Sequence, residues 1–307
     1  MRKALKWLGI GLAGLVVLAV IAAGVLYLMG GSRLARRYDI TVAPITVTAD
    51  STSIARGRHL IEAITMCTGC HGDDLAGKVL IDQPIMATVY ASNLTAGRGG
   101  VGATYDDGDF ARAIRHGVNP AGRGLMIMHS DAYQHLSQAD LGATIAFIRS
   151  APPVDKELPA TRVGPLGRFF VALGLIDGES MPLIPAEVID HDAPLAEPPP
   201  PAATADYGRY LVSIAMCRMC HGSDLRGAPP IEEGAPPGPN IAALAAPGAW
   251  SEELFITTLR TGVTPYGKAL DAEIMPWNRY GRMTDEELGA IWRYLGATTT
   301  VGDGRGR

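Results

Sequence analysis

Cys67-Thr68-Gly69-Cys70-His71 and Cys217-Arg218-Met219-Cys220-His221 hold all four cysteines of this 307-residue chain. Both spell Cys-x-x-Cys-His, the pattern of covalent c-type haem attachment. In that chemistry the two thiols add across the vinyl groups of the porphyrin, and the histidine that follows supplies one axial nitrogen to the iron. Two intervening residues suit one helical turn or a tight loop, so both sulfurs reach one macrocycle edge. A zinc site, a thioredoxin-like redox pair and two ordinary disulfides are the competing readings. Zinc ribbons bring their Cys pairs within about 20 residues of one another, whereas these pairs lie 150 residues apart. A redox pair does not call for a following histidine, and here one follows twice.

Outward from the motifs, the chain repeats itself. Gly57-Arg58-His59-Leu60-Ile61 stands before the first motif as Gly208-Arg209-Tyr210-Leu211-Val212 stands before the second. His71-Gly72-Asp73-Asp74-Leu75-Ala76-Gly77 matches His221-Gly222-Ser223-Asp224-Leu225-Arg226-Gly227, and Asn93-Leu94-Thr95 matches Asn240-Ile241-Ala242. Phe110 through Pro120 matches Phe255 through Pro265, and the stretch opening at Ser137 matches that opening at Thr284. One unit has been duplicated.

The local reading of each copy is helical. Residues 54–66 and 207–216 lead into the motifs, and residues 107–116 and 251–261 read as middle helices stopped by glycine. Residues 138–149 and 285–295 close the copies, with Phe147 and Tyr294 placed to pack on the first helix. Ser137 and Thr284 are expected N-caps, and Asp140 and Glu287 sit where a side chain returns the capping bond. No strand pattern competes with these helices.

At the N-terminus, Trp7 to Ser32 run for 26 residues without a charge, after Arg2, Lys3 and Lys6. A bilayer needs about 20 such residues, whereas a cleaved signal peptide carries an apolar stretch of about 7–15. The reading is therefore a retained anchor over residues 1–32, with a cleaved leader as the alternative. Arg33, Arg36 and Arg37 follow the span, so flanking charge alone does not orient it.

The formal charge is -4, which excludes a nucleic-acid partner as the natural reading. After the anchor, 24 bases face 31 acids, a surface that would steer a basic redox partner. Ala151-Pro152-Pro153 closes the first copy, and Pro198 to Pro201 begin an extended approach to the second. Between them, apolar residues 163–176 read as a short helix packed on the body, with a membrane-surface contact as the alternative.

Both copies resemble class I cytochrome c domains, and the pair is similar to the membrane-anchored dihaem cytochromes c of bacterial respiratory or photosynthetic chains. The resemblance implies a mainly α fold: an N-terminal transmembrane helix followed by two tandem class I domains. The organisation then reads as anchor 1–32, linker 33–51, first domain 52–150, Pro-rich linker 151–203, second domain 204–297 and flexible tail 298–307. Two covalently bound haem c groups are implied, on Cys67, Cys70 and His71, and on Cys217, Cys220 and His221. Covalent attachment of this kind places the body in the periplasm or otherwise on the outer side of the cytoplasmic membrane.

In the resemblance the second axial ligand is a methionine, usually followed by proline. Met275-Pro276 fits, 54 residues after His221. In the first copy, Leu125-Met126-Ile127-Met128-His129 holds the equivalent place, and alignment makes Met128 the ligand, 57 residues after His71. His129 then stands where proline is expected, and Met126 and His129 are alternative ligands. A thioether raises the potential relative to a second imidazole, so this choice matters. Arg115 with Arg260, and Tyr105 with Trp250, recur as candidates to contact propionates or pack on the ring. His59, His116, His135 and His191 read as surface or packing residues.

Six-coordinate His/Met iron has no open position, so single-electron relay is the expected function. The partners would be a quinol-oxidising complex, a terminal oxidase, a photosynthetic reaction centre or a dehydrogenase. The alternatives are a cytochrome subunit of a periplasmic dehydrogenase and, further off, a dihaem peroxidase using a displaceable ligand at Met128-His129. No catalytic residue is assigned.

Overall fold

The computed structural model describes residues 2–178, 181–195, 197, 199–231 and 234–300. Helix α1 (Arg2–Leu34) projects from the body, its central part unburied. It is long and apolar enough to cross a membrane by length and composition, and it continues two residues beyond the expected end of the anchor.

The N-terminal half of the body begins with α2 (Ser51–His59), which passes through a π turn at Leu60–Ile64 into the short motif helix α3 (Cys67–His71). Helices α4 (Asp107–His116), α5 (Ser130–Tyr133) and α6 (Gln138–Ser150) complete it. Linker helix α7 is Pro165–Leu173. The C-terminal half follows the same order with α8 (Ala205–Ile214), motif helix α9 (Cys217–His221), α10 (Glu252–Thr261), α11 (Trp277–Tyr280) and α12 (Asp285–Thr300). The final helix runs through Thr300, three residues past the expected domain end; residues 301–307, most of the expected tail, lie outside the described residues.

Each half is built on one helix crossing that needs glycine. A Cβ on Gly57 would lie 1.9 Å from the Ala143 carbonyl oxygen, and one on Gly208 would lie 2.0 Å from that of Ala290. Absence of a side chain lets α2 meet α6, and α8 meet α12, backbone to backbone. Phe147 and Tyr294 flank these crossings as expected.

One feature was not foreseen. Strands β1 (Lys78–Gln83), β2 (Ala87–Ala91) and β3 (Arg162–Val163) form an antiparallel sheet in the order β1-β2-β3. A register irregularity between Val79 and Ile81 interrupts the strict alternation in β1 that a period-two reading looks for. The hairpin has no counterpart strand in the described C-terminal half.

The helices of both halves share one apolar core, with Leu60, Ile64, Leu141, Leu211, Ile214 and Leu288 essentially fully buried. Between the halves lies a polar cluster. Arg56 donates to Asp140 at 2.8 and 2.9 Å and to Glu287 at 3.1 Å. His59 pairs with Glu287 at 2.7 Å, and the Tyr210 hydroxyl donates to Asp140 at 2.7 Å. Burial pushes the Glu287 carboxyl up, but His59, the Thr284 amide and Arg56 outweigh it and hold it at about 2. His59 is thus a hydrogen-bonding partner of Glu287 rather than simple packing.

The expected caps divide at the same place. Thr284 and Glu287 exchange both bonds of a capping box. Ser137 accepts from the Asp140 amide, but the Asp140 carboxylate is taken by Arg56 and Tyr210, and the Ser137 amide donates to the Tyr210 hydroxyl instead.

A second, smaller apolar cluster of Val118, Val171, Leu183, Ile184 and Ala186 takes in Leu34, Tyr38 and Met126. It joins the end of α1 to the linker. Arg33 reinforces the joint by pairing with Asp177 and Glu187, each at 2.5 Å.

Candidate haem sites

Both Cys-x-x-Cys-His segments form one short helix entered through a left-handed residue, Met66 at φ 56° and Met216 at φ 57°. Leu75 and Leu225 repeat the same conformation further on, at φ 58° and 64°. Side-chain-bearing residues avoid this region unless their surroundings impose it. Its recurrence at matching positions therefore marks two copies of one backbone device.

The motif histidines are buried, at 8% and 7% exposure. His71 Nδ1 lies 2.8 Å from the Ser92 carbonyl oxygen, and His221 Nδ1 lies 2.9 Å from that of Pro239. A carbonyl only accepts, so Nδ1 carries the proton and Nε2 keeps the free lone pair. Burial lowers both imidazoles below their usual range despite these bonds, so the rings are neutral and competent as ligands. The two carbonyl partners escaped the sequence reading. Their signal was present: Ser92 and Pro239 each immediately precede the repeated asparagine, Asn93 or Asn240.

All four cysteines are free and half-buried. Burial pushes the Cys67 thiol up to about 11 and the Cys217 thiol up to about 12, and raises Cys70 and Cys220 as well. No group of three or more His, Cys, Asp or Glu side chains among the described residues is gathered for a metal ion. That donor set does not fit zinc. Paired thiols beside an oriented imidazole fit a covalently attached haem.

The loops that carry the two candidate methionine ligands match in backbone course. The Leu125 amide donates to the Gly117 carbonyl at 2.6 Å, as the Leu270 amide does to that of Gly262 at 2.7 Å. His129 has φ −70° and ψ 48°, close to Pro276 at −73° and 57°. The loop therefore takes the proline-like course without proline. Met128 and Met275 are half-buried against the main core. Met126 packs in the smaller cluster with the linker. His129 lines a cavity of about 410 Å³ together with Met216, Arg218 and Met219 of the other half.

Two tyrosines missed in the sequence hold the motif entrances. The Tyr133 hydroxyl donates at 2.5 Å to the Thr65 carbonyl, and that of Tyr280 at 2.7 Å to the Ala215 carbonyl. Each acceptor precedes its first motif cysteine by two residues, and each tyrosine follows its methionine by five. Burial lifts both phenols well above their usual range, so they remain donors.

The halves also reach into one another's motifs. Tyr133 lies 3.7 Å from Met216 Sδ, while Arg279 donates to the Thr68 hydroxyl and lies 3.6 Å from Asp73.

Of the other recurring residues, Arg260 pairs with Asp285 at 2.6 Å. Arg115 is buried, donates to the Ala193 carbonyl and keeps Nη1 unpartnered. Tyr105 packs edge-on to Phe110, with ring centroids 5.5 Å apart, and Trp250 packs against the main core. His116 and His191 approach to 3.1 Å through their Nδ1 atoms, and His135 lines the 410 Å³ cavity.

Residues 203–295 match the family model of cytochrome C oxidase, cbb3-type, subunit III. A cytochrome c family domain occupies this stretch. The family implies covalently bound haem c. The chain is also similar, over more of its length, to cytochrome subunits of dehydrogenases. It is 29% identical to the fructose dehydrogenase cytochrome subunit of Gluconobacter japonicus over 82% of this chain and 54% of that one. It is 25% identical to the cytochrome c subunit of an alcohol dehydrogenase (quinone) of Gluconacetobacter polyoxogenes, over 93% of this chain and 62% of that one. The gluconate 2-dehydrogenase cytochrome c subunit of Pantoea cypripedii is 31% identical over 56% of this chain and 38% of its own. The chain thus spans little more than half the length of the first two relatives.

Proposed function

We propose that this chain is the electron-accepting cytochrome c subunit of a membrane-bound dehydrogenase, carrying two haem c groups on tandem class I domains over residues 52–150 and 204–297. The general electron relay first read from the sequence is compatible with this, but the relatives favour the dehydrogenase alternative. The observation that carries the reading is the paired setting of the motif histidines, each with Nδ1 held by a carbonyl and Nε2 free.

Cys67, Cys70 and His71 would hold one haem and Cys217, Cys220 and His221 the other, with Met128 and Met275 as the sixth ligands. Bound haem c supplies a ferrous/ferric couple that changes by one electron. The protein's part is to orient: the Ser92 and Pro239 carbonyls aim the imidazoles, and Tyr133 and Tyr280 hold the attachment segments. Helix α1 would anchor the subunit, with its body on the periplasmic side.

The test is affinity purification of the full chain from its native membrane. A dehydrogenase flavoprotein or quinoprotein should co-purify, and its substrate should bleach oxidised haem and raise the reduced α band. Isolation without such a partner, with rapid oxidation by a terminal oxidase, would return the subunit to a free carrier.

A further inference from the structure

Helix α7 is apolar on more than one side. Gly167 and Val171, four residues apart, face the body; a Cβ on Gly167 would lie 2.0 Å from the Met86 carbonyl oxygen. Leu166, Phe169 and Leu173 recur at i, i+3 and i+7, a separate stripe. Leu166 is 40% and Leu173 53% exposed, and Leu175 just beyond the helix is 64% exposed. Ile85, also 64% exposed, adjoins them, its carbonyl accepting from the Leu166 amide. A contiguous exposed apolar patch of this kind marks a contact surface.

Helix α1 indicates what covers it. Phe169, in the middle of the exposed stripe, packs with its ring centroid 6.2 Å from that of Tyr27, and Arg168 lies 4.9 Å over the same ring. Gly30 meets the Arg168 carbonyl, and Arg33 donates to that of Val171. The charge-free run from Trp7 is about 39 Å long at 1.5 Å per residue, whereas the hydrocarbon core is about 30 Å thick. A helix entering at Trp7 leaves the core near Tyr27, where interfacial aromatics gather. The α7 stripe therefore meets α1 at headgroup level. Arg168 is the sole charge in α7, and exposed Arg162, Arg36 and Arg37 follow or precede these segments as partners for lipid phosphate.

We propose that Ile85, Leu166, Phe169, Leu173 and Leu175 form a monotopic membrane-contact surface that seats the body on the bilayer beside its own anchor. The inference rests on α1 being a retained span. It makes the linker a second, interfacial attachment that sets the tilt of the body.

Photo-crosslinking tests it in the full-length holoprotein reconstituted into nanodiscs of phosphatidylethanolamine and phosphatidylglycerol. A benzophenone amino acid replaces, one at a time, Ile21 in α1, Leu166, Leu173, or the exposed Tyr266 of the C-terminal half. Mass spectrometry should find lipid adducts at 21, 166 and 173, at least tenfold above those at 266. Adducts at 21 alone, or adducts at 166 and 173 to another protein in native membranes, overturn the contact surface and leave the span intact. Absence of adducts at 21 overturns the span itself, and the inference with it.

Discussion

At His71 and His221 one hydrogen bond decides which ring nitrogen is available, and under the proposed function Met128 and Met275 would stand opposite. Replacing Met275 or Met128 by Ala should each remove one Met-to-iron charge-transfer band from the near-infrared spectrum while haem staining persists. Met126→Ala should leave both bands in place, because Met126 is committed to the cluster around Val171 and Ile184. An unaltered first-haem band in Met128→Ala would sink the ligand assignment. The tyrosines give a prediction about stability. Tyr280→Phe removes a buried donor and leaves the Ala215 carbonyl unsatisfied, at a cost of about 1–3 kcal/mol; urea unfolding with an unchanged slope measures it. The two motif helices and their histidines were legible because each motif is written in contiguous sequence. Tyr133, Tyr280 and the carbonyls of Ser92 and Pro239 were not, because a backbone acceptor has no residue signature and a lone tyrosine resembles any core aromatic.

Among the elements, the glycine crossings carry the sharpest constraint. Gly208→Ala would press a methyl against the Ala290 carbonyl at 2.0 Å, with the Tyr294 Cβ also within 2.8 Å. Overpacking of this sort costs about 1–3 kcal/mol, and backbone on the far side leaves little room to relax. Thermal unfolding of Gly208→Ala and Gly57→Ala should therefore show losses of several degrees in the attached half. The helices were readable from caps, glycine stops and repetition; the middle helix Asp107–His116 lies where its pattern placed it. The β1–β2 hairpin was unreadable for the opposite reason, an irregular register and no copy in the described C-terminal half. The closing helix caps show how tertiary partners override local pattern, since Asp140 has the position of a capping-box acid but is held by Arg56 and Tyr210.

Across the whole molecule, the cluster of Arg56, His59, Asp140, Tyr210 and Glu287 couples the halves and makes them sensitive to acid. Glu287 is held at about 2 against an ordinary 4.5. A depressed carboxyl contributes stability that is complete above its unfolded value and fades as pH falls from about 5 toward 2. The contribution is about 2–3 kcal/mol. Chemical denaturation at pH 6 and pH 3 should show Glu287→Gln losing less between those conditions than the wild type does. None of this cluster's pairing was visible in sequence, because its members come from four helices spread over more than 230 residues.

Tyr133 resting on Met216, and Arg279 on Thr68 and Asp73, have a consequence for biogenesis. Each half contributes side chains beside the other's motif, so under the proposed function maturation of the two halves should be coupled. A chain unable to attach haem at Cys67 and Cys70 should also deliver less holoprotein at Cys217 and Cys220. The chain would then leave its maturation machinery either fully loaded or as a target for proteolysis, with singly loaded chains scarce.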